Sequence, residues 1–158
     1  MNPIQPTDKD LLRWGRNLLG LGVALGLLSC VAAPVRQLPL RLRIDPDVND
    51  DSPIALSFLV ISDPELAEEI SRLTAAQWFD NRKLLLSRDG NALHEVMLEV
   101  VPGQEISGLT LDVPAGSCAG LLFTDLRAQS RRGQWFDPNR PVHLAVSLQA
   151  VSLLQENP

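Results

Sequence analysis

The 158-residue chain has no tyrosine, and its aromatic residues are four phenylalanines and three tryptophans. It has two cysteines, two histidines and, after position 29, a single lysine, Lys83. Each scarcity excludes something. Two cysteines cannot build the disulfide framework of a small secreted scaffold. The histidines, His94 and His143, fall at separate strand-like positions, so no Cys/His cluster has metal-ligand spacing. A chain with 14 basic against 19 acidic residues offers no basic stripe for nucleic acid and no polybasic patch for anionic lipid. No Gly-rich phosphate loop follows a strand, and no Gly-x-Ser-x-Gly elbow is present. Carboxylates are plentiful, but no spacing pairs them for acid–base work. The chain reads as a non-enzymatic protein with no cofactor, no metal, no nucleic-acid partner and no small-molecule substrate.

Also missing is an apolar run long enough to cross a bilayer, which takes about 20 residues. Residues 18–29 number twelve, three of them glycines (Gly20, Gly22, Gly26). Lys9, Arg13 and Arg16 precede the run, and Ser29 then Cys30 end it. A basic region, a short apolar region and a small residue describe a secretory signal peptide. Leu27-Leu28-Ser29-Cys30 resembles the lipobox of bacterial lipoproteins. That resemblance implies cleavage before Cys30 and acylation of its sulfur. Val31 rather than aspartate next to Cys30 implies sorting to the outer membrane. An uncleaved signal anchor and a buried helix stay open as alternatives. The expected organisation is a signal peptide over 1–29, a tether over 30–37 and one domain over 38–158. Without the leader, 11 basic and 17 acidic residues remain, a net charge of −6. Cys118 is then without a partner, and its apolar surroundings, Cys-Ala-Gly-Leu-Leu-Phe, predict core burial.

What is present is mostly alternation. Leu38, Leu40, Leu42 and Ile44 recur at period two, which predicts a half-buried strand, with Pro39 suggesting an edge position. Residues 45–53, Asp-Pro-Asp-Val-Asn-Asp-Asp-Ser-Pro, form an acidic loop dense in turn formers. It lacks the Asp-x-Asp-x-Asp-Gly arrangement of a calcium loop. Residues 54–62 are continuously apolar and predict a central strand. Asp63-Pro64-Glu65 is a helix start, with Leu66, Ile70 and Leu73 on one stripe. Thr74 to Gln77 looks like a capping box for a second, short helix carrying Trp78 and Phe79 and broken at Asp80-Asn81. Residues 83–86 are compatible with its last turn or with a short strand.

Period two returns after Gly90. His94, Val96, Leu98 and Val100 share a face, where a core histidine is expected for His94. Pro102-Gly103 is a turn, and Leu109, Leu111 and Val113 make the next strand. After the Pro114–Gly116 turn, residues 118–126 predict a buried strand and residues 130–140 a polar loop. Val142, Leu144, Val146 and Leu148 predict one long final strand with His143 exposed. A change of parity toward Val151 and Leu153 suggests a bulge near Gln149-Ala150. Gln-Trp-Phe-Asp occurs at 77–80 and again at 134–137. Two copies in different contexts do not make a repeat architecture; Trp78 and Trp135 are each expected to cap an end of the core. Short strands, proline–glycine turns and one helical insertion predict an all-β sandwich, with a small barrel as the alternative.

Three stretches then carry a further resemblance: Asp47-Val-Asn-Asp-Asp-Ser-Pro-Ile54 running into an apolar strand, the aromatic-bearing helix at residues 76–79, and Val101-Pro-Gly-Gln104 before the next strand. In this order after a lipobox, the chain resembles the outer-membrane lipoproteins of the type VI secretion system, the TssJ/VasD family. The resemblance implies a transthyretin-like β-sandwich facing the periplasm, anchored through Cys30. It implies a partner, the periplasmic part of the TssM-like inner-membrane protein. It also implies that the first inter-strand loop holds that partner, here Asp47, Val48, Asn49, Asp50 and Asp51. Two other readings stay open: a pilotin-like lipoprotein for a secretin of another secretion system, and a periplasmic enzyme or inhibitor with a polar pocket near His94.

Overall fold

The computed structural model describes residues 34–126, 131–148 and 150–155. The alternation at 38–44 is realised as β1 (Val35–Ile44), which starts three residues ahead of its pattern and takes up part of the expected tether. Leu38, Leu40, Leu42 and Ile44 are all buried, and the residues between them are exposed. The strand is not an edge. It lies between β4 (Glu105–Pro114) and β7 (Val142–Val146) in a sheet of order β4-β1-β7-β8, with β8 over Val151–Leu154. Pro39 is accommodated because pairing with β7 begins only at Leu40, opposite Val142. Its missing N–H therefore falls where β1 has one neighbour rather than two.

The second sheet has the order β3-β2-β5-β6, built from β2 (Ile54–Ile61), β3 (Leu93–Val100), β5 (Ala119–Thr124) and β6 (Gln134–Phe136). Both sheets have four strands, and they face each other as a sandwich rather than closing into a barrel. All pairings are antiparallel apart from β1 with β7. One core fills the gap between the sheets, with Leu40, Leu42, Ile54, Leu56, Phe58, Leu111 and Val142 among its members. A second core lies on the outer face of the β2 sheet, under α1 (Pro64–Ser71) and α2 (Ala75–Asp89). This explains why β2 and β5 read as continuously apolar: they are covered on both faces. Each fully buried leucine or phenylalanine in these layers contributes roughly 1.5–3 kcal/mol by leaving water. Gly120 is part of the fit, because a Cβ there would come within 2.4 Å of the Phe136 ring.

The helix starts are as the sequence indicates. The Asp63 side chain accepts from the N–H groups of Glu65 and Leu66, and Thr74 with Gln77 completes a capping box. The second helix is longer than expected. It runs fifteen residues through Asp80-Asn81 without a break, and residues 83–86 are helical. Asn81 donates its Nδ2–H to the Gln77 carbonyl, and Arg82 pairs with Glu95 on β3. Tertiary packing thus overrides a weak local preference.

Other expectations are corrected as well. Residues 134–136, assigned to a polar loop, form β6 and pair with β5. The single long final strand is a hairpin: β7 turns back into β8 (Val151–Leu154), with Val146 opposite Val151. The parity change is a turn, not a bulge, and Leu148 leaves the core to stand 61% exposed within it. Cys118 precedes β5 instead of joining it. Its N–H reaches the Ile61 carbonyl, but the residue is exposed. His94 is at the open end of its face, opposite Val60, and is exposed too; His143 is half-buried. Trp78 does not cap an end: it is fully buried and stacked on Phe123 at 5.4 Å. Trp135 is 47% exposed on β6. The leader and Cys30 lie outside the described residues. Among the described residues, no helix is long and apolar enough to cross a membrane.

Candidate interaction surface

The acidic loop is held far more tightly than its composition suggests. Asn49, Asp50 and Asp51 have φ of 58°, 50° and 56°. Three consecutive non-glycine residues therefore stand in the left-handed region, at a cost of about 1 kcal/mol each. Asn and Asp tolerate this best because their short side chains bond locally. Here Asn49 donates Nδ2–H to the carbonyls of Ser52 (3.2 Å) and Pro53 (3.0 Å). The Ser52 N–H donates to the Asn49 carbonyl at 3.0 Å, closing the turn. Val48, immediately before it, is only 2% exposed and belongs to the core between the sheets. It pins the turn from beneath.

Around this turn the expected contact residues divide by role. Asp47, Asp50 and Asp51 are exposed, Asn49 is half-buried, and Val48 is inside. Among the described residues, no ion pair forms on the Asp47, Asp50 or Asp51 carboxylates. No cluster of three or more His, Cys, Asp or Glu side chains there could hold a metal ion. The loop therefore presents its negative charge outward, to solvent.

Two further connections meet the loop at Asp45. The Asp45 N–H donates to the Val146 carbonyl at 2.9 Å, and the Asp45 carbonyl accepts from the Gly103 N–H at 3.3 Å. One residue earlier, the Ile44 N–H donates to the Gln104 carbonyl at 2.9 Å. The β1–β2 loop, the β3–β4 turn and the β7–β8 turn are thereby tied into one end of the sandwich. Gly103 has φ +77°, where any side chain would strain the backbone, and a Cβ there would rest on Pro46 at 3.7 Å, in ordinary contact. Gln104 closes its own turn, accepting the Val101 N–H on Oε1 at 3.1 Å. The Ser147 hydroxyl closes the other, accepting the Ala150 N–H at 3.2 Å. Val101 (51%) and Leu148 (61%) are the exposed large apolar side chains of these turns. Pro102-Gly103 is legible in the sequence as a turn, but nothing in the pattern assigns Val101 a contact. Leu148 reads as a core residue because the alternation of β7 continues through it.

The chain enters the domain at the other end. Val35 pairs with Pro114 beside the Pro114–Ser117 turn. Ten residues of β1, at about 3.3 Å each, separate this entry from the loop by about 33 Å. A shallow depression of about 130 Å³ near that end, beside His94, is lined by Ser62, Asn91 and Ser117. It holds no second titratable side chain for proton transfer.

No protein-family model matches the sequence, and no curated protein matches it. Solved structures do. The T6SS lipoprotein TssJ1 from Pseudomonas aeruginosa superposes with a TM-score of 0.59 at 17% identity, over 79% of this chain and 99% of that one. Serratia marcescens Lip, a membrane-bound component of the Type VI Secretion System, gives 0.58 at 14%, over 81% and 100%. A chain of a structure described as T6SS protein TssM C-terminal domain from EAEC gives 0.52 at 13%, over 75% and 97%. Two facing four-stranded sheets with helices packed outside one of them make this an all-β sandwich, and its fold is that of the type VI secretion lipoprotein TssJ.

Proposed function

We propose that the chain is a TssJ/VasD-family lipoprotein of a type VI secretion membrane complex. It is held on the periplasmic face of the outer membrane by acylated Cys30. It captures the periplasmic part of a TssM-like inner-membrane protein through the loop of residues 46–53, and it has no active site. The observation that carries this reading is the left-handed turn Asn49–Asp51. It is a strained, prebuilt element that projects carboxylates from the end of the sandwich opposite the chain's entry. Strain of this kind persists where the surrounding structure fixes it, and it clusters at functional sites. The likeness to the type VI lipoproteins supports the reading through the shared fold. The structure that names TssM supports the choice of partner. Several acyl chains on one cysteine hold a protein stably where one chain holds it marginally.

The test is to replace Asp47, Asp50 and Asp51 together by Asn and to titrate the variant with the periplasmic part of the TssM-like protein from the same genome. Charge at a rim of this kind steers association and fades with salt. Affinity should fall by about tenfold or more at low salt, while the melting temperature stays within a few degrees of wild type. Undiminished binding would remove the loop from the interface. Recovery of a secretin in place of a TssM-like protein from membranes would favour the pilotin reading.

A further inference from the structure

The geometry points to a composite docking platform rather than a lone loop: the acidic turn at 49–51 is flanked by Val101 and Leu148, and the three together fit a partner surface whose apolar centre is ringed by Arg or Lys. This inference rests on the function proposed above and gives its site a chemistry. Three connections converge on Asp45 through backbone hydrogen bonds of 2.9 Å and 3.3 Å, with the Ile44–Gln104 bond alongside. They form one rigid end, because each turn is also closed by its own bonds: Asn49 to Ser52 and Pro53, Val101 to Gln104, Ser147 to Ala150.

Two features of that end are unlike an ordinary solvated surface. Val101 and Leu148 are exposed in turns, where polar residues are the rule, and nothing in the backbone geometry calls for a branched apolar side chain at either place. Residues 45–53, 101–104, Ser147 and Leu148 include no Lys, Arg or His, whereas Asp47, Asp50 and Asp51 are exposed. Charge of one sign around apolar side chains is the anatomy of an interface with an apolar centre and a charged rim. Complementarity then fixes the partner's chemistry. Its rim is basic, which steers encounter, and its centre is apolar, which holds the complex once water is expelled.

The two contributions separate experimentally. Wild type, Val101→Ser, Leu148→Ser and Asp50→Asn/Asp51→Asn, as full chains, are titrated with the periplasmic part of the TssM-like protein from the same genome at low and high salt. Exposed turn positions tolerate serine, so melting temperatures should not move, and a thermal scan of each variant confirms that the fold is intact. Val101→Ser and Leu148→Ser should each weaken binding by about tenfold with the salt dependence unchanged. The carboxylate variant should flatten the salt dependence. Wild-type affinity in both serine variants, with binding lost in the carboxylate variant, overturns the platform and leaves the loop reading standing. A wild-type chain that binds no TssM-like protein overturns both.

Discussion

Ser57 is the polar residue that the two-sided burial of β2 would exclude, and it is fully buried. It is kept there by a relay of hydrogen bonds. Trp78 Nε1–H donates to its Oγ at 2.9 Å, the hydroxyl donates to Glu95 Oε1 at 2.7 Å, and Arg82 grips the same carboxylate from Nε and Nη2. The carboxylate in turn raises the Arg82 pKa further above its ordinary value. Ser57→Ala keeps the volume nearly constant but strands the buried indole N–H, so it should cost about 1–3 kcal/mol in a urea titration. In the Ser57→Ala/Trp78→Phe double variant the stranded donor is gone, and the combined loss should be smaller than the sum of the single losses. Additive losses would show that the relay is not coupled. No local pattern reveals this relay, because Ser57 and Glu95 meet only through strand pairing across 38 residues. The left-handed turn was half legible. Asn and Asp at 49–51 announced a turn, but not its hand or its attachment to the core through the buried Val48 before it. Asp50→Gly should therefore raise stability by about 1 kcal/mol by releasing the positive φ, read as a higher urea midpoint. A lower midpoint would mean that the side chain holds the turn.

At the scale of elements, cap signals found both helix starts, period-two alternation found β1 and β3, and a continuous apolar run found β2, because these depend on residues adjacent in sequence. The ends of elements escaped. Asp80-Asn81 reads as a break, yet α2 continues because Leu85 and Leu86 pack on the outer core. Leu148 fits the alternation of β7, yet the chain has already turned. What fixes these ends is contact with distant segments, and the β6–β7 connection shows how. Asp137 accepts from the backbone N–H and the Nδ2–H of Asn139, at 2.8 Å and 2.9 Å. Gln155 bonds the Asp137 N–H and carbonyl from beyond β8. The Asn139 donors, with the charges of Arg140 and Arg36 behind them, hold the Asp137 carboxyl below its ordinary pKa. A lowered native pKa means that the unfolded chain binds the extra proton. The stabilisation is therefore complete above the ordinary carboxylate value of about 3.9 and is lost as pH falls through the lower native value. The stability difference between wild type and Asp137→Asn should be constant near neutrality and shrink below about pH 4. Thermal melts at several pH values check this; a difference that widened in acid would reverse the assignment.

At the scale of the whole molecule, β1 is a strut. One end receives the chain after the expected anchor, and the other end, about 33 Å away, carries the acidic turn. The expected anchor and the proposed binding end, so separated, need not interfere: attachment through one would leave the other free for a partner. The sequence carried this layout through the length of the alternating strand and the place of the loop after it. The convergence of three turns on Asp45 was not visible, since it depends on the order of strands in the sheet. The layout makes capture and attachment separable. Cys30→Ser should move the protein from the membrane fraction to the soluble periplasmic fraction, while the purified domain binds its TssM-like partner as tightly as wild type does. Retention of the variant in the membrane fraction would make the leader an uncleaved anchor. Weakened binding by the released domain would mean that the segment around Cys30 reaches the binding end, against the separation that β1 imposes.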